Sequence, residues 1–382
     1  EMITVFGTDF DKKYLDKVKT LSLSPEAIQK EHDLKIVFTP LHGTTYELVP
    51  ASLRNWGFTN IHTVPEQSIP DGDFPTVASA NPEEPAAFKM ALDLARKIDA
   101  DLAMACDPDG DRIGIAVKND AGEWTLLNGN QTNIIFTEYI IRRKKELNQL
   151  KGGEYTVKTI VTTELIKDIA EKNHIICYDV YTGFKWIADV IRKEGGEKFI
   201  GGGEESFGYM PGAFTRDKDG VSATSLMAEI AAWVKMQNKT LYSFLKEIYA
   251  KYGFSQERMI YIVRKGLSGA QEIKAMMEEF RHNTPKEINH SPVVLKKDYL
   301  SLEATNLQTG EKTHLNFETK SDVLQFFLAD GSKISVRPSG TEPKIKFYFE
   351  ARAQMKDVNE YERAQQEANA RIDAIIKDLK LQ

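Results

Sequence analysis

The chain has 382 residues, of which 41% are hydrophobic and 28% charged, and 56 acidic residues outnumber 50 basic ones. The resulting net charge of −6 argues against a general nucleic-acid binder, which carries a basic excess. The composition also excludes a disordered chain, a collagen and a disulfide scaffold, and no apolar run approaches the ~18 residues of a bilayer span. We therefore expect a soluble, multidomain globular protein without nucleic-acid or membrane partners.

The two cysteines, Cys106 and Cys177, each lie in an apolar stretch and form no C-x-x-C pair. We expect two buried thiols, which suit a reducing cytoplasm. The chain begins with a glutamate, and its first residues have neither the basic nor the apolar region of a signal peptide. We therefore interpret the sequence as a piece of a longer, cytoplasmic protein.

Strands and helices alternate through most of the chain, after a charged helical connector in residues 11–31. Short β-branched or apolar runs predict strands, and apolar residues at helical spacing predict helices. The predicted strands cover 34–38, 60–64, 102–106, 113–117, 156–162, 175–180 and 199–200. The predicted helices cover 46–56, 82–100, 132–147, 164–172, 184–193, 222–236 and 241–249. This alternation indicates two consecutive three-layer α/β/α domains with mainly parallel sheets.

The last third of the chain has short strands separated by Gly and Asp turns, and a closing amphipathic helix at 361–379. The predicted strands cover 256–264, 299–305, 313–317, 323–328, 333–336 and 344–350, with a helix at 269–281. This pattern indicates a C-terminal α+β domain. The predicted organisation is a connector in 1–30, α/β/α domains in 31–125 and 126–253, and the α+β domain in 254–382.

Three aspartates stand at alternate positions in a tight turn between two predicted strands: Asp107, Asp109 and Asp111, followed by Arg112. Their carboxylate oxygens can converge on one point, where three like charges are unfavourable unless a cation neutralises them. Hard oxygen ligands without a nearby His or Cys favour Mg²⁺ over zinc or copper. The turn therefore predicts a magnesium site, with Arg112 as an anion partner beside the metal.

Two other interpretations of this turn stay open. It could be a solvated acidic turn, or the D-x-D-G motif of a haloacid-dehalogenase phosphatase, which usually has Thr or Val where Asp111 stands. An EF-hand loop does not fit, because Arg112 occupies its glycine position and Lys118 its bidentate glutamate position.

A glycine-rich segment at 201–209 carries Glu204, Glu205 and Ser206 after three glycines. We expect a loop whose backbone approaches a ligand closely and whose carboxylates and hydroxyl suit a polyhydroxy ligand. It is not a dinucleotide fingerprint, since no G-x-G-x-x-G opens a helix there. A flexible turn with incidental acids is the alternative.

A second candidate binding segment lies at 337–343, where an arginine and two hydroxyls surround a glycine and can form a nest for phosphate. Its members are Arg337, Ser339, Gly340 and Thr341. In the strand that follows, alternation places Ile345, Phe347 and Phe349 on one face. Lys344 and Lys346 then share the other face, so that Lys346 can reach the same anion. A plain hairpin turn is the alternative.

Three further turns stand at predicted strand ends, where α/β proteins place ligands. They are 41–43 with His42, 181–185 with Gly183, Phe184 and Lys185, and 216–220 with Lys218. Taken alone, segment 216–220 is more typical of a solvated charged loop, and His42 is more typical of a structural residue than a catalytic one.

Together and in this order, these segments resemble the α-D-phosphohexomutase family, specifically its phosphoglucomutase-like members. The family's metal loop D-x-D-G-D-R is matched by 107–112, its sugar loop G-E-x-S by 203–206, and its phosphate loop R-x-S-G/N-T by 337–341. An H-G turn, an N-P-E segment at Asn81–Glu83 and a T-G-x-K loop also stand in their places. Three such motifs, correctly ordered and about one domain apart, are highly specific.

In that family, a phosphoserine coordinated to Mg²⁺ transfers its phosphoryl group to a hexose monophosphate, and the resulting bisphosphate reorients and returns its other phosphoryl group. The resemblance implies metal binding by Asp107, Asp109 and Asp111 and catalytic roles for Arg112 and Lys218. It implies substrate binding by Gly183, Phe184, Lys185, Glu204, Ser206, Arg337, Ser339, Gly340, Thr341 and Lys346. It also implies Mg²⁺ as cofactor and glucose 1,6-bisphosphate as activator.

The family's serine stands in a T-x-S-H-N-P loop of a domain that precedes these segments. The nearest segment here, Val77–Pro82, lacks the histidine and lies where the family has its N-P-E segment. We therefore expect that Ser79 is not the nucleophile and that the serine domain, the expected partner of this chain, lies upstream. This chain alone is then inactive or nearly so.

The resemblance favours glucose phosphates, because the Glu-Glu-Ser-Phe-Gly form of the sugar loop is closer to glucose-phosphate mutases than to bifunctional ones. Phosphomannomutase and phosphopentomutase activities stay open, because the hydroxyls that distinguish these sugars from glucose are recognised by the geometry of the loops, which the sequence does not show. Two alternatives lie outside the mutases: a non-catalytic phosphosugar-binding protein, and a phosphatase with Asp107 as its nucleophile.

Overall fold

The computed structural model describes residues 6–264, 266–340 and 343–381. The chain divides into two compact units, unit 1 up to Ile248 and unit 2 from Tyr249 onward. Unit 1 contains two sheets and unit 2 contains a third. Within the described part of the chain, no helix is long and apolar enough to cross a membrane.

The first sheet of unit 1 lies between helices. Its strands are β1 (Ile36–Thr39), β2 (Ile61–Thr63), β3 (Leu102–Cys106), β4 (Ile113–Lys118) and β5 (Trp124–Leu127), in the order β2-β1-β3-β4-β5. The accompanying helices are α1 (Thr8–Lys19), α2 (Pro25–Lys30), α3 (Leu48–Trp56) and α4 (Lys89–Ile98). Strands β2, β1 and β3 are parallel, and β4 and β5 continue the sheet antiparallel. Helix α4 packs on β1 and β3, and α1 packs on α3.

The second sheet has the order β7-β6-β8-β9, parallel except for its last strand. Its strands are β6 (Tyr155–Thr159), β7 (Ile176–Val180), β8 (Phe199–Gly203) and β9 (Tyr209–Met210). Its helices are α5 (Gly129–Glu146), α6 (Leu165–Lys172), α7 (Phe184–Glu194), α8 (Gly220–Lys235) and α9 (Leu241–Tyr252). Helix α8 also packs on β3 and β4 of the first sheet. The two predicted α/β/α domains with mainly parallel sheets are confirmed.

Unit 2 is an antiparallel sheet with helices on one face. Its strands are β10 (Phe254–Val263), β11 (Glu287–Ile288), β12 (Ser291–Asp298), β13 (Glu303–Asn306), β14 (Lys312–His314), β15 (Leu324–Leu328), β16 (Lys333–Pro338) and β17 (Lys344–Ala353). They follow the order β10-β17-β16-β15-β12-β13-β14, with β11 beside β12. Helix α10 (Gly266–His282) packs on β16 and β17, and α11 (Tyr361–Asp378) packs on β10 and β17. The predicted α+β domain is confirmed.

Three predicted strands are wrong in part. The strands predicted at 156–162 and 313–317 extend three residues past the ends of β6 and β14, and the strand predicted at 299–305 is wrong in its first half. Strand β12 ends at Asp298, and the following residues turn back into β13. The Asp298 carboxylate accepts the N–H of Leu300 at 3.0 Å, and Leu302 has a φ of 58°. An aspartate that caps its own turn competes with strand formation. Strand β12 itself was not predicted.

The prediction of two buried thiols is confirmed for Cys106 and holds in part for Cys177, where burial raises the pKa of the thiol to about 12. Cys106 ends the fully buried strand β3, whereas Cys177 is only half-buried. The reason is topological, since β7 is an edge strand of the second sheet and its neighbour Ile176 is 46% exposed. Both thiols are free.

The three glycines at 201–203 form strand β8, so the expected glycine loop is wrong. A Cβ added to Gly203 would lie 1.8 Å from the Asn133 Oδ1 atom, and one added to Gly202 would lie 2.8 Å from the Val157 carbonyl oxygen. These glycines therefore allow close packing within the protein.

Replacing Gly203 by alanine tests this packing role. We expect Gly203→Ala to lower the free energy of unfolding by about 1–3 kcal/mol, because the new methyl group overpacks the space that Asn133 fills. The measurement is urea unfolding followed by circular dichroism. The matched control is Gly72→Ala, at an exposed glycine where an added Cβ has nothing within 4 Å. Equal stabilities of the two variants would contradict the assignment.

Candidate functional site

The three aspartates lie in the turn that joins the antiparallel strands β3 and β4, which we call the metal loop (107–112). The turn is tight because Gly110 adopts a φ of 77°, which glycine tolerates. The Asp107 Oδ1 atom accepts the N–H groups of Asp111 at 3.1 Å and Arg112 at 2.9 Å. One carboxylate oxygen from each aspartate lies within 4.8 Å of the other two, so the loop brings the predicted ligands together.

The carboxylates of the metal loop crowd one another. Burial raises the pKa of Asp107 to about 7, and the hydrogen bond with Asp109 and the charges of Asp111 and Asp109 act in the same direction. Asp109 is exposed and Asp111 is half-buried, so the loop is open on one side. A cation on that side would relieve the repulsion.

Arg112 lies against acidic groups on both sides. Its Nη1 atom is 3.1 Å from the Glu83 Oε1 atom, and its Nε atom is 3.6 Å from the Asp107 Oδ2 atom. Glu83 belongs to the N-P-E segment, to which sequence reasoning assigned no role. The structure therefore adds Glu83 as the residue that holds Arg112 beside the metal loop.

Lys218 is part of the same site, although its segment alone looks like a solvated loop. Its Nζ atom is 2.8 Å from the Asp111 Oδ2 atom and 5.1 Å from the centre of the Phe184 ring. Its side chain is only 18% exposed. Phe184, predicted as a substrate residue, therefore contacts the cation that faces Asp111.

The turn with His42 has a structural role at the back of the metal loop. A Cβ on Gly43 would lie 2.2 Å from the Pro108 Cα atom, and the Thr44 N–H donates to the Pro108 carbonyl at 2.8 Å. The two ring nitrogens of His42 bond the Ile69 carbonyl at 3.0 Å and the Thr76 hydroxyl at 2.8 Å. These bonds agree with the structural interpretation of His42.

The glutamate of the sugar loop is buried and held by its neighbours. Glu204 is 8% exposed, and its Oε1 atom accepts the N–H of Gly183, the residue before α7. The Asn133 side-chain amide donates to the Glu204 carbonyl at 2.9 Å. The Ile113 N–H donates to the Phe207 carbonyl at 3.0 Å, which joins the sugar loop to the end of the metal loop. The sugar and metal loops are therefore adjacent in unit 1.

The second glutamate of the sugar loop has internal partners. The Oε2 atom of Glu205 accepts hydrogen bonds from the hydroxyls of Thr159 at 3.2 Å and Thr162 at 3.1 Å. Burial, together with the charge of Glu205, raises the pKa of Glu204 to about 7. The Glu204 carboxyl therefore exchanges its proton near neutral pH.

Other candidates contact neighbours outside this cluster. The Lys185 Nζ atom lies 5.0 Å from the centre of the Trp186 ring. Ser206 is half-buried at the end of the sugar loop. The Ser79 hydroxyl donates to the Glu84 carboxylate at 2.9 Å, close to the segment that carries Glu83.

The phosphate segment lies in unit 2, at the hairpin between β16 and β17. Arg337 and Lys346 are cross-strand partners, and the Ser339 N–H donates to the Lys344 carbonyl at 2.8 Å. Gly340 is exposed at the tip of the hairpin, and Thr341 lies outside the described residues. The predicted apolar face is confirmed, because the buried residues of β17 include Ile345, Phe347 and Phe349.

Three family models match the chain in order. They are phosphoglucomutase/phosphomannomutase α/β/α domain II over residues 12–122, α/β/α domain III over 128–252, and the C-terminal domain over 274–369. The phosphoglucomutase of Staphylococcus aureus (strain COL) is 38% identical over 317 residues, which are 83% of this chain and 56% of that protein. The chain therefore spans about half the length of the curated relatives it matches.

Solved structures share the fold. Parafusin (phosphoglucomutase) from Paramecium, in its open form, has a TM-score of 0.63 at 16% identity, over 96% of this chain and 62% of that one. A phosphoglucomutase/phosphomannomutase family protein from Burkholderia thailandensis has a TM-score of 0.58 at 15% identity, over 94% and 64% of the two chains. At these identities the similarity concerns the fold.

The buried carboxyl of Glu204 makes stability depend on pH. Its pKa of about 7 exceeds the ordinary 4.5, so the folded chain binds a proton that the unfolded chain releases between these values. Its contribution to stability therefore falls as the pH rises through this window. We expect the stability of Glu204→Gln relative to wild type to rise by about 1–3 kcal/mol from pH 4.5 to pH 8, measured by urea unfolding. A constant difference would contradict the raised pKa.

Proposed function

Because the chain belongs to the phosphoglucomutase/phosphomannomutase family, we propose that it supplies the metal, sugar and phosphate sites of an enzyme that interconverts hexose 1-phosphate and hexose 6-phosphate. The proposed sugar is glucose, and the reaction class is intramolecular phosphoryl transfer, an isomerase. The observation that carries the proposal is the convergence of two cations, Arg112 and Lys218, on the loop of three aspartates.

The metal loop suits Mg²⁺. Octahedral Mg²⁺ binds oxygens at about 2.1 Å, so adjacent ligand oxygens are about 3 Å apart and opposite ones about 4 Å apart. The ligand oxygens of Asp107, Asp109 and Asp111 lie within 4.8 Å of one another, a limit close to the larger of these distances. The donor set contains no His or Cys, as a hard cation prefers. When bound, Mg²⁺ would neutralise charge on the transferred phosphoryl group.

Two residues of this chain would act on the transferred phosphoryl group. Arg112 binds and orients its oxygens, and Glu83 holds the guanidinium in place before substrate arrives. Burial lowers the pKa of Lys218, but Asp111 and Asp217 raise it above its ordinary value overall. Lys218 therefore stays charged near neutral pH. It can hold a proton close to the leaving-group oxygen of the phosphoryl transfer.

The remaining groups would bind the sugar and its second phosphate. Glu204 and Ser206 accept or donate hydrogen bonds to sugar hydroxyls, next to Gly183, Phe184 and Lys185. The phosphate that does not react is bound by the phosphate segment through Arg337, Ser339, Gly340, Thr341 and Lys346. Residues that contact only the phosphate group make the same contacts in both orientations of the bisphosphate, and the reaction requires both orientations to bind. Glucose 1,6-bisphosphate is therefore the proposed activator.

The phosphoserine is proposed to come from a domain upstream of this chain, in a T-x-S-H-N-P loop. Ser79 is not proposed as the nucleophile, because its hydroxyl bonds Glu84 and its segment lacks the histidine. The isolated chain would then bind ligand but not turn it over. The two free thiols suit the proposed cytoplasmic location.

Metal binding by the isolated chain tests the first half of the proposal. We expect Mn²⁺, a spectroscopic substitute for Mg²⁺, to bind one site, and Asp109→Asn to weaken it at least about tenfold, because one charged ligand is lost. The measurement is electron paramagnetic resonance of free Mn²⁺. The matched control is Asp120→Asn, an exposed aspartate in the turn at the opposite end of β4. Unchanged affinity of the Asp109 variant would refute the site.

A coupled assay from glucose 1-phosphate to glucose 6-phosphate, with Mg²⁺ and a trace of glucose 1,6-bisphosphate, tests the second half. We expect activity in the full-length gene product and none in this chain. In the full-length protein, Ser79→Ala should leave the rate within about twofold, since surface changes are usually small. Turnover by the isolated chain that Ser79→Ala abolishes would overturn the assignment. Activity of the full-length protein with mannose 1-phosphate alone would change the proposed sugar.

A further inference from the structure

A tyrosine near the start of the chain contacts a buried carboxylate at the start of α8. The Tyr14 hydroxyl of α1 lies 2.7 Å from the Asp219 Oδ1 atom and 2.8 Å from its Oδ2 atom. Asp219 is 8% exposed, and its Oδ1 atom also accepts the N–H groups of Val221 at 3.0 Å and Ser222 at 3.2 Å. Asp219 is therefore the N-cap of α8, and Tyr14 is the side chain that completes its hydrogen bonding.

The residues on both sides of Asp219 contact the metal loop. Lys218 lies 2.8 Å from the Asp111 carboxylate, and the Gly220 N–H donates to the Gly110 carbonyl at 2.9 Å. A Cβ on Gly220 would lie 2.6 Å from the same carbonyl oxygen, so the first turn of α8 packs directly on the loop. The position of Asp219 therefore determines two contacts of the metal loop.

We propose that Tyr14 is a positioning residue for the metal loop: through Asp219 it holds Lys218 and Gly220 against Asp111 and Gly110 in the arrangement that binds a divalent cation. The inference rests on the proposed function, because it presupposes the metal site. The hydrogen bonds of the Tyr14 hydroxyl go to Asp219, and Tyr14 acts on the metal loop through that residue.

The environment of the pair supports this role. Burial raises the pKa of Tyr14 well above its ordinary value, and the charge of Asp219 raises it further, so the hydroxyl is a donor at any pH near neutral. A buried carboxylate needs such donors because it has left water. Without the hydroxyl, the Oδ2 atom loses its bond to Tyr14, and the cap can tilt to reach solvent. Such a tilt would move Lys218 and Gly220 together.

The experiment compares Tyr14→Phe with a change at a second tyrosine, on α5, whose carboxylate partner also belongs to α8. The Tyr139 hydroxyl donates to the Glu229 carboxylate of α8 at 2.7 Å and lies 2.8 Å from the Ser24 hydroxyl, which can donate to it. Tyr139 is fully buried whereas Tyr14 is half-buried, and Glu229 stands nearly three turns after Asp219. We expect Tyr14→Phe to weaken Mn²⁺ binding by the isolated chain about tenfold, the low end for loss of an outer-shell partner. Tyr139→Phe should lower the melting temperature but leave Mn²⁺ affinity within about twofold.

The outcomes separate the inference from the proposed function. If the wild-type chain binds no Mn²⁺, both are overturned. If it binds Mn²⁺ and Tyr14→Phe binds equally well, or if both tyrosine variants lose affinity alike, only the role of Tyr14 is overturned.

Asp219→Asn provides a second variant, because asparagine also caps helices well. We expect the double variant Asp219→Asn/Tyr14→Phe to lose no more Mn²⁺ affinity than Asp219→Asn alone, because the effects of two mutations do not add when the residues act as a unit. Additive losses would overturn the coupling. If Tyr14→Phe fails to fold, as judged by circular dichroism, unchanged Mn²⁺ affinity in Asp219→Asn alone would overturn it.

Discussion

The repulsion among three carboxylates in one six-residue turn is the constraint on which the site depends. The raised pKa of Asp107 expresses this repulsion, because its burial and its acidic neighbours both disfavour the charge. The turn persists because backbone N–H groups bond the Asp107 carboxylate and because Arg112 and Lys218 stand at its edge. The N–H groups and Arg112 belong to the turn itself, whereas Lys218 comes from the surrounding fold.

The supports come from segments far apart in the chain, and each uses a close approach that only certain residues allow. Gly43 and Gly220 contact the metal loop through their backbones, at distances where a side chain would clash. Glu83 contacts Arg112 from the segment that precedes α4, and Lys218 contacts Asp111 from the segment that precedes α8. The loop is therefore closely packed by its neighbours but open at Asp109, which is the combination that a cation site requires.

In unit 2, the site is arranged by strand register instead of by buried charge. Antiparallel pairing places Arg337 opposite Lys346, and partners in a sheet point to the same side. The alternate residues Ile345 and Phe347 face the helices, so the two cations are left on the other face. Two basic side chains therefore share one face of the hairpin, close to its exposed residue Gly340.

The sequence by itself determined the features that depend on local spacing. Alternating runs predicted the three sheets and their helices, and the i, i+2, i+4 spacing of Asp107, Asp109 and Asp111 predicted carboxylates that lie together, because a tight turn leaves them little freedom. The apolar face of β17 was predicted from the alternation of its side chains between the two faces of the sheet. The strand misplaced at 299–305 shows the limit, since Asp298 ends β12 by a hydrogen bond that composition does not reveal.

Only the tertiary structure decided which distant residues meet. Glycines 201–203, which the sequence predicted as a ligand-binding loop, lie in the packed strand β8, and Asn133 fills the space above Gly203. The tertiary structure showed that Lys218 lies against the metal loop, although its segment alone is typical of a solvated loop. It also showed that Glu83 contacts Arg112 and that Tyr14 contacts Asp219. The physical reason is that such contacts depend on how helices and sheets pack, and packing is set by the whole of unit 1 and not by neighbours along the chain.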